Sequence, residues 1–104
     1  MAHCPPELLD DLTDLLAEVK TWPHVVERKP GVLYVSRTPF LHFHWLRTGR
    51  VADARDGSDW GTRIVLPHPA STARRRALLH ELRRRHAHTL EAVGPRTRAR
   101  PPPS

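Results

Sequence analysis

The apolar residues of this chain change their spacing twice, and those changes limit what it can fold into. Leu8, Leu9, Leu12, Leu15, Leu16, Val19 and Trp22 recur three and four apart, as one stripe of a helix requires. Pro5 and Pro6 suit a first turn, whose N–H groups lack helical partners in any case, and Pro23 stops the run. Between residues 24 and 67 the period becomes two. Pro30-Gly31, Thr38-Pro39, Gly49 and Asp56-Gly57 punctuate that stretch into about five short antiparallel strands. Ser71 or Thr72 can cap a second helix, with a stripe of Leu78, Leu79, Leu82, His86, Leu90 and Val93, closed by Gly94-Pro95. Helix, antiparallel meander, helix is the order of an α+β domain. One stripe per helix places both helices on the same face of the sheet.

A chain of 104 residues builds one core, so residues 1–94 are read as a single domain. Residues 95–104, rich in Pro and Arg, are read as a disordered tail. Cys4 is the only cysteine, so no internal disulfide forms. No cationic start leads into an apolar stretch, and no run approaches the ~18 apolar residues of a membrane span. A multi-domain enzyme, a membrane-spanning chain and a disulfide scaffold are excluded. The expectation is a bacterial protein of the cytoplasm with no membrane partner.

The formal charge of +6 is unevenly distributed. Residues 7–20 sum to −4 and residues 71–93 to +4. An acidic first helix beside a basic last one would largely neutralise it. Nucleic-acid binding through the last helix and tail, which needs an uncompensated basic face, therefore ranks below the other readings. Arg74, Arg75 and Arg76 oppose the dipole of the last helix unless an anion or the acidic helix compensates them; the simpler expectation is a solvated cluster facing helix one.

Alternation assigns the faces of the strands. Leu41, Phe43 and Trp45 belong beneath the helices, so Phe40, His42, His44 and Leu46 project outward. Pairing Ser36 with Phe40 places Leu33 and Val35 in the core and Tyr34 beside His42. A four-residue loop through Gly49 pairs Leu46 with Val51, places Ala52 and Ala54 beneath the helices, and sets Asp53 beside His44. With Trp60, Ile64 and Leu66 inside, Arg63 lies outside, next to Asp53. The open face thus collects Tyr34, His42, His44, Asp53, Arg55 and Arg63.

An antiparallel sheet with one covered face is polar on the other, and cross-strand His–Asp and Asp–Arg pairs stabilise it modestly. Aromatic, His and Arg side chains together are more typical of a binding patch or dimer face. The leading expectation is a module binding a small ligand or a protein partner, with homodimerisation as one use of the face. The alternative is a metal-assisted or acid/base enzyme. His42 and His44, at i and i+2, point their imidazoles the same way, and Asp53 would complete a two-His, one-carboxylate set for Zn or Fe. No Gly-rich phosphate loop, serine elbow or oxyanion hole is legible. His86 reads as a core residue, with His80 and His88 outside.

The run Phe40-Leu41-His42-Phe43-His44, then Gly49, then Ala52-Asp53-Ala54-Arg55, resembles a signature of short bacterial α+β proteins without an assigned activity. The resemblance covers about residues 30–90. More loosely, the Pro30-Gly31-Val32 start and the His-x-His strand are similar to the luciferase-domain family of small α+β proteins. Both resemblances imply the fold and the location of the site, and neither implies a reaction.

Overall fold

A computed structural model describes residues His3 to Val93; the stop at Gly94-Pro95 and the tail 95–104 lie outside the described residues. The N-terminal stripe does not wind as one α-helix. Pro6–Leu12 form a 3₁₀ segment and Thr13–Val19 form helix α1. The extended Pro5 accepts from the Leu8 N–H at 2.9 Å, an i→i+3 bond that starts the tighter winding. Leu9, Leu12, Leu15, Leu16 and Val19 are buried all the same, and so is Trp22, carried on a turn after α1.

Strands β1 (Val25–Lys29), β2 (Val32–Val35), β3 (Thr38–Leu46), β4 (Gly49–Asp56) and β5 (Asp59–Trp60) form an antiparallel meander. Strand β6 (Ile64–Val65) returns to the same edge of β4, beside Val51 and Ala52. Gly31 turns β1 into β2 with φ at 77°, and a Cβ there would stand 2.5 Å from Leu9 Cδ1. That close approach lets the 3₁₀ segment settle on the sheet. Helix α2 (Thr72–Val93) is capped by Ser71, whose Oγ accepts from the Arg74 N–H at 3.1 Å.

Leu33, Val35, Leu41, Phe43, Ala52 and Ala54 meet Leu12, Leu15 and Val19 from the N-terminal helix and Leu78 and Leu82 from α2 in one core. This is an α+β architecture with both helices on one sheet face. Arg83 ties α2 to α1 through Glu18 at 2.7 Å, the cross-helix neutralisation that the charge distribution implies. No helix among the described residues is long and apolar enough to cross a membrane.

Four details of register differ from the alternation. Leu33 faces Leu41 while Tyr34 faces Pro39, which leaves Phe40 as the extra residue of a β-bulge. The bulge resets the alternation, so Phe40 is fully buried, edge-on to His86 at 5.9 Å, rather than outward. It also sets Tyr34 opposite Pro39 rather than His42. The β3–β4 hairpin closes through the two residues Arg47-Thr48, with Leu46 opposite Gly49, instead of a four-residue loop. This shifts the partners by two positions, which preserves faces but places Asp53 opposite His42. Trp45 is in phase with Phe43 yet 39% exposed, lying edge-on to His68. Trp60 is 44% exposed rather than inside, because a two-residue strand has no alternation to orient it, whereas Leu66 is buried.

Candidate binding face

Two carboxylate–guanidinium forks organise the polar chemistry. The first lies on the helix side. Arg50 is in phase with Ala52 and Ala54, so its side chain enters the core, where a charge needs a partner. Asp11 supplies it: Arg50 Nη1 and Nη2 donate to its two oxygens at 2.7 and 2.8 Å. The remaining guanidinium donors reach the carbonyls of Leu8, Leu66 and Pro67. Asp11 also accepts from the Ala70 N–H at 2.7 Å. The Arg50 guanidinium holds the Asp11 carboxyl down to about 2. This fork ties the N-terminal segment, β4 and the entry to α2 together. Its signal in the sequence is an arginine at a core-phase position facing an acidic helix.

The second fork lies outside. Arg63 Nε and Nη2 donate to Asp53 Oδ1 and Oδ2, both at 2.8 Å. His44 Nε2 lies 3.1 Å from Asp53 Oδ2. Arg63 holds the Asp53 carboxyl below the usual carboxylate range, with His44 adding to the effect. With both oxygens engaged, Asp53 orients its neighbours and is a poor proton acceptor. His42 stands opposite Asp53, and its ring lies 6.2 Å from that of His44. Its Nε2 is buried and has no hydrogen-bond partner among the described residues. Burial first, and the neighbouring His44 second, push the His42 imidazole below its ordinary value, so it favours the neutral form.

Trp60 extends this cluster. Its ring is 5.5 Å from His42 and has the Arg55 guanidinium over it at 4.9 Å. Arg55 is fixed by donating to the carbonyls of Pro39 at 2.6 Å and Ser58 at 2.8 Å. The structure therefore brings together His42, His44, Asp53, Arg55 and Arg63, and adds Trp60. Tyr34 sits apart, on β2, beneath the Arg28 guanidinium at 4.5 Å. The arrangement offers stacking surfaces, fixed cations and an oriented imidazole.

Metal-binding geometry points elsewhere. Among the described residues, the group that brings three donor atoms within 4.8 Å of one another is Asp10, Asp11 and His68, not His42, His44 and Asp53. That trio is already knit by His68 Nε2 to Asp10 at 2.7 Å and by the Arg50 fork. Arg75 and Arg76 line a groove of about 350 Å³ between the helices, facing Asp11, Asp14 and Glu18. His86 is buried, with Nε2 2.9 Å from the Pro23 carbonyl oxygen. His80 and His88 are exposed, and His88 Nδ1 contacts Asp56 at 2.7 Å. Comparison with family models, with curated proteins and with solved structures finds no match to this chain.

Proposed function

We propose that the chain is a small binding module of the cytoplasm whose recognition surface is the outer face of the sheet, centred on His42, His44, Asp53, Arg55, Trp60 and Arg63. The observation that carries this is Trp60. A tryptophan left 44% exposed, flanked by a guanidinium and an imidazole on a polar sheet face, is better suited to contact than to folding. Asp53 supports binding over acid/base chemistry, because Arg63 and His44 occupy its oxygens and keep it ionised.

Amide chemical-shift mapping of the full chain tests the assignment. Inorganic phosphate, Zn²⁺, a short oligothymidylate and rising concentrations of the protein itself are the successive probes. Responses centred on residues 42–44, 53–55 and 60–63 are expected for at least one. Responses confined to the helix groove, or no response to any probe, would remove the outer face as the recognition surface.

A further inference from the structure

Resting on the outer face as the recognition surface, we propose that its occupant is single-stranded nucleic acid, with bases stacked on Trp60 and Tyr34 and phosphates met by Arg55 and Arg28. Each ring has a guanidinium over it, at 4.9 Å for Arg55 on Trp60 and 4.5 Å for Arg28 on Tyr34. Among the described residues, neither arginine pairs with a carboxylate, whereas those in the middle of α2 do. Arg83 is held by Glu18, Arg84 by Asp56 and Glu81, and Arg85 by Glu81. The middle of the basic helix is compensated. On the sheet face, Asp53 is taken up by Arg63 and His44, so the cations over the rings keep their charge for a ligand.

The spacing of the rings narrows the ligand. Tyr34 on β2 and Trp60 on β5 are three strand steps apart, about 14 Å at the usual strand separation. One base or one small planar molecule cannot reach both, but a strand of several bases can. Each ring carries its own cation, so a base and its phosphate can be met at each of the two places, as on other single-strand binding surfaces.

The test is fluorescence anisotropy of a dye-labelled short oligothymidylate titrated with the full chain. Binding at low salt is expected, falling steeply as salt rises. Trp60→Ala and Tyr34→Ala should each weaken it by roughly fivefold or more, since stacking contributes that much per base. Arg28→Ala should also reduce the salt dependence. A background carrying Arg96→Ser, Arg98→Ser and Arg100→Ser should show the same stacking losses. Absence of binding at low salt overturns the proposal. So does binding that neither ring substitution changes, or sedimentation showing a dimer that Trp60→Ala dissociates. If the oligothymidylate fails while another probe still shifts the outer-face amides, nucleic acid is excluded and the face remains the recognition surface. If no probe reaches that face, both conclusions fall.

Discussion

The Asp11–Arg50 and Asp53–Arg63 forks match in bond length, every one between 2.7 and 2.8 Å, the first through Nη1 and Nη2 and the second through Nε and Nη2, yet they lie in opposite environments. The Arg50 side chain is fully buried and that of Asp11 is 8% exposed, whereas the Arg63 side chain is 49% exposed. Burying an ion pair carries a desolvation penalty that only complete hydrogen bonding offsets, and removing one partner leaves an uncompensated charge. At the surface, water replaces a lost partner and the pair contributes little to stability. The inner fork therefore holds the fold, and the outer one contributes little to it. Bond lengths alone do not distinguish a structural pair from a functional one; what surrounds the pair does.

Neighbouring residues on β3 sharpen that contrast most. Phe43→Ala should cost about 3–5 kcal/mol, because the ring is enclosed by the core and its removal leaves a cavity. Phe40→Ala should cost a similar amount despite its outward position in the alternation. Urea unfolding would show both.

Acid should weaken the fold in two stages. Burial pushes His86 and His42 below their ordinary value. The unfolded chain then takes up protons that the folded one refuses, so stability declines as pH falls below about 6.5. Asp11, Asp56 and Glu81 are held at about 2 by their arginine and histidine partners. Their contribution is complete above the unfolded carboxylate values near 4 and is lost as pH falls from there toward about 2. Thermal melts across this range should fall at both stages, and His86→Gln should flatten the upper one. A stability that rises on acidification would contradict the burial of the two imidazoles and the pairing of the three carboxylates.

His42→Ala gives the smallest expected effect, about 0.5 kcal/mol, since its buried Nε2 makes no hydrogen bond to lose among the described residues. A much larger loss would make the imidazole structural and remove it from the binding face.

Much of this arrangement was legible in the residues. The two changes of apolar period specify helix, meander and helix, and the alternation through Leu41, Phe43, Ala52 and Ala54 specifies the covered face. Arg63 lies beside Asp53 as read from the sequence. A bulge, by contrast, inserts one residue without altering composition, so the burial of Phe40 and the separation of Tyr34 from His42 left no mark on the pattern. Hairpin length is similarly silent: Arg47-Thr48 can turn in two residues or within four, and the choice moves the cross-strand partner of Asp53 from His44 to His42, although its carboxylate still reaches His44. Trp60 is the last residue of β5, a strand too short for alternation to orient it. Arg50 did leave a signal, a charge at a core-phase position, and its meaning depended on an acidic helix passing above it.

The difference between the forks is tested most directly by urea unfolding of Asp11→Ala and Asp53→Ala side by side. Asp11→Ala strands the Arg50 guanidinium in the core and should cost about 3–5 kcal/mol. Asp53→Ala frees side chains that water can reach and should cost about 1 kcal/mol or less. A wide gap in that order is the expected result; equal losses, or a larger loss for Asp53→Ala, would contradict the assignment of one fork to the fold and the other to the binding face.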